Sequence, residues 1–280
     1  MNFGRNDTSR YFEAKNCHSG AGTIKLMSLW EKFETPWMFI HRGILPPKTG
    51  IGHHFHDRCE EMYVIFNGSS YFTHNGNTAE FNAGAMAPCF AGDSHGIYNP
   101  TDQVIQFMNL GVGDENRKYD NRDLNESLDN ALPSSPDKVP CDAIAKAQIR
   151  YFDRNLLTEI EGKVHQGKGK LLFRRIWSHE SFKTNWGFID HILLPPDSSI
   201  GYHRHKTIEE CYIIVAGKGK MTVDDETIEV FEGDAVPNKL GGCHGIYNHS
   251  SDYLEVLNMA VSLEKGKFDA EDVGDDLSAR

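Results

Sequence analysis

The chain has 280 residues, 39% of them hydrophobic and four of them tryptophan, enough for one large or two small domains with real apolar cores. Its formal net charge of -11, with no basic cluster, argues against nucleic acid and anionic membranes as partners. Twenty-six glycines among aromatic and β-branched runs favour a β-rich fold.

The opening segment MNFGRNDTSRYFEAKN holds no apolar core of signal-peptide length, and no later run approaches the ~18 apolar residues of a membrane span. A soluble, cytoplasmic protein is expected. HSGAG, from His18, suits a tight turn into the first strand, because a dinucleotide loop would need a preceding strand, a third glycine and a following helix. GHHFHDRCEEMYVIFNG follows from Gly52, then FTHNGNTAEF, a hairpin with Asn-Gly at its turn. SHGIYNP, from Ser94, and VIQFMNL complete a set of short strands bounded by turn residues, as in a sandwich or barrel. The polar stretch over residues 114–164 is expected to be a linker. It includes a short helix around NESLDNAL and helical apolar spacing in CDAIAKAQIRYFDRNLLTEIEG.

From residue 165 the pattern begins again. HQGKG answers HSGAG, LPP at Leu194 answers LPP at Leu45, and GYHRHKTIEECYIIVAG starts at Gly201. MTVDDETIEV gives the second hairpin and CHGIYNH the second HGIYN. Residues 50–112 match at an offset of 149 without a gap, far longer than the ~20–50 residues of a solenoid repeat. The chain is therefore expected to hold two duplicated domains, 1–113 and 165–280. The six cysteines, Cys17, Cys59, Cys89, Cys141, Cys211 and Cys243, form no C-x-x-C pair and are expected to be free thiols.

The spacing carries chemistry. His54 and His56, two apart on a strand, share a face. Glu61 stands five beyond His56 and would face the other way on an unbroken strand. The chain must turn, and Glu61 is expected on a second strand beside the first, with Tyr63 and Ile65 facing inward after it. His203, His205, Glu210, Tyr212 and Ile214 repeat the set. His95 and His244, from the two HGIYN segments, supply a fourth group to each. Three imidazoles and one carboxylate suit a divalent transition metal: imidazole favours Zn, Cu, Fe and Ni, and the carboxylate admits Mn. Isolated histidines are usually satisfied surface or core residues. Here the same four recur while the residues between them diverge, Phe55 against Arg204 and Asp57 against Lys206.

These motifs resemble those of the bicupins, two cupin domains in one polypeptide. The first family motif, G-x5-H-x-H-x4-E-x6-G, is matched from the first histidine to Gly68 and Gly217, with Gly52 and Gly201 only two places before that histidine. The second, G-x5-P-x-G-x2-H-x3-N, is matched at its ends by Gly84, His95 and Asn99 and by Gly233, His244 and Asn248. Spacing around its proline differs. The resemblance implies an all-β fold with minor α content, two antiparallel β-barrel or jelly-roll domains and one divalent metal per domain, Fe or Mn before Zn, Ni or Cu. It also implies a pseudo-twofold pairing within the chain, with any homodimer built on top, and a small-molecule substrate.

The leading functional expectation is a metal-dependent enzyme on a small oxygenated organic substrate, of non-haem oxygenase or decarboxylase type. The alternatives are an O2-independent isomerase or lyase on a sugar-like or hydroxy-acid substrate, and a metal-containing binding protein without turnover. Tyr63 and Tyr212, two residues past a ligand, are the candidate catalytic residues. Asn109 and Asn258 are candidates to support the site, and Asn99 and Asn248 to hold turns. The linings differ where His41 aligns with Asp190, Arg42 with His191, and His53 with Tyr202, which suggests unequal sites.

Overall fold

The computed structural model describes residues 3–125, 148–160, 163–274 and 277–280. Among these the regular structure is antiparallel strands and 3-10 turns, with no α-helix, so the expected minor α content is absent there. The proposed helix around NESLDNAL lies outside the described residues apart from Asn125. The helix expected over 141–162 does not form in its described part, where Arg150–Tyr151 and Thr158–Glu159 are strands flanking the 3-10 turn Arg154–Leu156. Sheet pairing there overrides the local apolar period: Arg150–Tyr151 pairs with Ala85–Met86, and Thr158–Glu159 with Leu172–Phe173.

The chain forms two compact units. One draws on Asp7–Glu31 and Met38–Phe152, the other on Met1–Asn6, Lys32–Trp37 and Asp153–Arg280. Each is a pair of antiparallel sheets. In the first unit Gly50–Phe55, carrying His54, pairs with Ser94–Tyr98 in the five-stranded sheet, and His54 stands directly opposite His95. Glu60–Ile65, carrying Glu61, runs in the seven-stranded sheet between Ile105–Val112 and Ala85–Cys89. The expectation that Glu61 returns beside the histidine strand is therefore corrected. The turn after His56 carries the chain into the other sheet, and carboxylate and imidazoles belong to different sheets. The second unit repeats the plan: Ser199–Arg204 pairs with Cys243–Tyr247, and Ile208–Ala216 sits in the six-stranded sheet beside Leu254–Ser262.

Period-two alternation explains the core. Tyr63 and Ile65 are buried with Phe72, Phe81, Ile97 and Phe107, and Tyr212 and Ile214 with Met221, Val230, Ile246 and Val256. The hairpins form as expected, with two-residue turns after His74 and Val223. Asn75 (φ 47°) and Gly76 (φ 76°) both sit in the left-handed region that such turns require. In the second unit Thr35 donates its amide (2.9 Å) and hydroxyl (2.6 Å) to Glu209, and the Glu34 amide adds bonds of 3.1 Å. These contacts satisfy a carboxylate that is only 3% exposed. The five described cysteines are free thiols. No helix among the described residues is long and apolar enough to cross a membrane.

Candidate metal centres

In each unit the four sequence-predicted residues converge. His54, His56, Glu61 and His95 are all buried, with potential ligand atoms within 4.8 Å of one another, and His203, His205, Glu210 and His244 do the same. His54 Nε2 lies 2.9 Å from His95 Nε2, and the Glu61 oxygens lie 3.4 Å from His56 Nε2 and from His95 Nε2. Glu210 Oε2 lies 2.8 Å from His244 Nε2, 3.6 Å from His205 Nε2 and 4.0 Å from His203 Nε2. Metal bonds of ~2.0–2.2 Å at right angles put neighbouring ligand atoms about 3 Å apart.

Hydrogen bonds behind the rings fix which nitrogen faces the centre. His54 Nδ1 bonds the Gly52 carbonyl at 2.7 Å, and His203 Nδ1 bonds the Gly201 carbonyl at 2.8 Å. His56 Nδ1 bonds the Asp120 carbonyl, and His205 Nδ1 that of Asp269. With Nδ1 donating its proton, each Nε2 presents a bare lone pair to the centre. His56 Nε2, Glu61 Oε1 and His205 Nε2 are buried and have no hydrogen-bond partner among the described residues. Converged lone pairs on buried, unsatisfied atoms are costly unless a cation sits among them, so the donor set fits a divalent ion. Burial, and then the neighbouring imidazoles of His18 and His244 respectively, holds His54 and His203 down to about 2. Burial likewise keeps His95 well below its usual range.

Asp120 and Asp269 do more than accept these bonds. The Asp120 carboxylate receives the amides of Asp57, Arg58 and Cys59, and Asp269 those of Lys206 and Thr207, which fixes the turn after the second histidine. Sequence reasoning placed Asp120 in a linker. The missed signal is that Lys118-Tyr119-Asp120-x-x-Asp123 recurs as Lys267-Phe268-Asp269-x-x-Asp272 at the same offset of 149. The further grouping of His56, Cys59 and Asp120 shares His56 with the quartet and braces its far side, Cys59 Sγ being 3.1 Å from Nδ1.

His18 and His165 are also more than turn residues. Each has left-handed backbone (φ 51°) and lies flat on the first histidine of its quartet. Asp123 holds His18 Nδ1 at 2.9 Å, and Asp272 holds His165 Nδ1 at 2.7 Å. Tyr119 reaches His18 Nε2 at 3.2 Å, and Phe268 takes its place in the second unit.

Tyr63 and Tyr212 line cavities of about 270 and 390 Å³ that open on the quartets. Burial raises both phenols well above their usual range, so they are neutral hydrogen-bonding groups. Asn109 Nδ2 donates to Glu61 Oε2 at 3.1 Å and to the Tyr63 hydroxyl at 3.3 Å, and Asn258 Nδ2 donates to Glu210 Oε1 at 3.1 Å. Asn99 and Asn248 bridge carbonyls and amides of the turns after Leu45 and Leu194 and the turns they begin themselves. Arg204 points away from its centre and forks onto Glu271 at 2.6 and 3.0 Å.

Fold and quartets define a duplicated β-sandwich protein with one candidate metal centre in each unit. A family model described as a cupin domain matches residues 190–260. The oxalate-binding protein of Thermotoga maritima is 29% identical over 97 residues, 35% of this chain and 80% of that protein. Among solved structures, the oxalate decarboxylase–formate complex of Lactobacillus farciminis aligns with a TM-score of 0.61 at 15% identity, covering 95% of this chain and 87% of that one. Salicylate 1,2-dioxygenase of Pseudaminobacter salicylatoxidans aligns with a TM-score of 0.64 at 12% identity, covering 84% and 76%. Residues 190–260 thus match a cupin domain, and the fold of the chain as a whole is similar to the folds of these two solved structures.

Proposed function

We propose that this chain is a bicupin and a metal-dependent enzyme acting on a small oxygenated organic substrate, with non-haem oxygenase or decarboxylase chemistry. The observation that carries the reading is the convergence, in both units, of three buried imidazoles and a carboxylate beside a cavity, with His56 Nε2 and Glu61 Oε1 in one unit and His205 Nε2 in the other left unsatisfied among the described residues. His54, His56, Glu61 and His95 hold one divalent ion, and His203, His205, Glu210 and His244 the other, with iron or manganese favoured. Such an ion supplies Lewis-acid polarisation of a substrate oxygen or one-electron chemistry with O2.

The chain's own residues do the rest. The Gly52, Gly201, Asp120 and Asp269 carbonyls hold His54, His203, His56 and His205 in one tautomer. Asn109 and Asn258 orient the carboxylates. Tyr63 and Tyr212, as neutral phenols, donate hydrogen bonds within the cavity and position the substrate. The relatives named above, which bind or decarboxylate oxalate or oxidise salicylate, support a small acid as the substrate class. The oxalate-binding relative also favours a second reading, metal-assisted binding without turnover.

Metal analysis of the purified protein, followed by O2 uptake and CO2 release with a panel of small carboxylic acids, tests the proposal. Two metals per chain with turnover supports it. Two metals with binding and no turnover selects the second reading, and absence of metal binding refutes both.

A further inference from the structure

The two cavities are built on matching rows of cross-strand neighbours. In the first unit Ser28 stands opposite His41, and Asn109 opposite Tyr63. In the second, Arg175, Asp190, Asn258 and Tyr212 follow one another across four strands. The rows agree at the Asn–Tyr pair beside the ligand carboxylate. They differ at the outer pair, where Ser28 and His41 give way to Arg175 and Asp190.

Arg175 donates Nε and Nη2 to the two oxygens of Asp190 at 2.8 and 2.9 Å. Its guanidinium carbon lies 4.6 Å from the centre of the Phe188 ring. Asp190 is buried, whereas Arg175 is half exposed and lines the cavity that holds His203, His205 and Glu210. Its Nη1 donates to nothing among the described residues. A guanidinium pinned along one edge and stacked on a ring keeps its other edge in a fixed direction, and that edge matches a carboxylate. Burying a carboxylate to make such a pair is costly, and apolar replacements are commonly no less stable. Presenting a rigid cationic fork to the cavity is what the pair achieves.

At the matching place in the first unit, His41 stacks on Phe39 with ring centres 4.6 Å apart. No lysine or arginine is among the described residues lining that cavity.

We propose that the second unit's cavity takes a small organic carboxylate whose acid group is held by Arg175, with Asp190 as the positioning residue, and that the first unit's cavity lacks this subsite. The two centres therefore take different ligands. This rests on the metal-centre reading above and names the ligand class of one centre.

Calorimetric titration of the manganese-loaded full chain with malonate, succinate and glutarate, and with their diamides, is the test. One diacid is expected to bind at one equivalent per chain. R175M should weaken it at least tenfold while metal content stays at two and diamide affinity is unchanged. D190N should show a smaller loss with the same selectivity for acid over amide. H203A/H205A should abolish diacid binding and H54A/H56A should spare it. If R175M loses metal, R175Q decides in its place. Unaltered diacid affinity in the arginine variant, loss of binding in H54A/H56A alone, or no diacid binding by a wild type holding two metals would each overturn the inference and leave the metal centres standing. A wild type that binds no metal would overturn both.

Discussion

The imidazole of His18 lies face to face with that of His54, ring centres 3.8 Å apart and planes 6° from parallel, and His165 repeats the relation on His203 at 3.7 Å and 8°. The contact is possible because the strand beneath has no side chain in the way. A Cβ on Gly52 would lie 2.0 Å from the His18 carbonyl oxygen, and one on Gly201 would lie 1.9 Å from that of His165.

Replacing either glycine by alanine must therefore displace the neighbouring backbone. G52A is expected to cost about 1–3 kcal/mol of stability and to empty one metal centre, and G201A the other. Thermal unfolding together with metal content per chain measures both effects.

The Asp120 carboxylate gathers the amides that follow His56, while its carbonyl sets that ring. D120A should lower metal affinity at one centre by about 10–100-fold, the usual range for groups that orient a ligand. D120N, which keeps acceptor capacity, should lose less. Competition with a chelator of known affinity resolves the two variants.

H54A/H56A and H203A/H205A should each remove one equivalent of metal. Because the outer pairs differ, Ser28 and His41 against Arg175 and Asp190, the two double variants are expected to affect turnover unequally. Equal loss with unchanged stability would indicate two equivalent active sites.

Glu255 gives a pH dependence apart from the centres. Burial alone would raise its carboxyl, but hydrogen bonds from His191 at 2.7 Å and Arg154 at 2.7 and 3.0 Å outweigh that and lower it. A depressed carboxyl stabilises the fold above its unfolded value near 4.5, and the contribution is lost as pH falls through the folded value. E255Q should cost about 1.5–3 kcal/mol at pH 7. The gap from wild type should narrow on acidification. Denaturant unfolding at pH 7 and pH 4 checks both the size and the sign.

The quartets were legible because metal ligation needs fixed residue types at fixed spacing, and the offset between the two copies of His-x-His-x4-Glu removed chance. The inward Tyr63 and Ile65 followed from period two alone. Other features left fainter traces. The segment with Tyr119 and Asp120 is polar because it supplies a carbonyl and caps amides, so by composition it resembled a linker. The stacking of His18 depends on a left-handed backbone that no apolar pattern encodes. Which sheet would receive Glu61 turned on how far the Asp57–Cys59 turn carries the chain, and Asp120 sets that turn from sixty residues away.

The contacts of Thr35 with Glu209 bear on whether the second copy can stand without the first. The unit built mainly from residues 153–280 takes three donors for a buried carboxylate from residues 34 and 35, which the chain makes long before it. Deleting the first copy would strip Glu209 of those donors and leave a desolvated charge. The second copy thus leans for part of its structure on sequence upstream of it, and a chain reduced to that copy should regain stability when Glu209 is replaced by an uncharged residue.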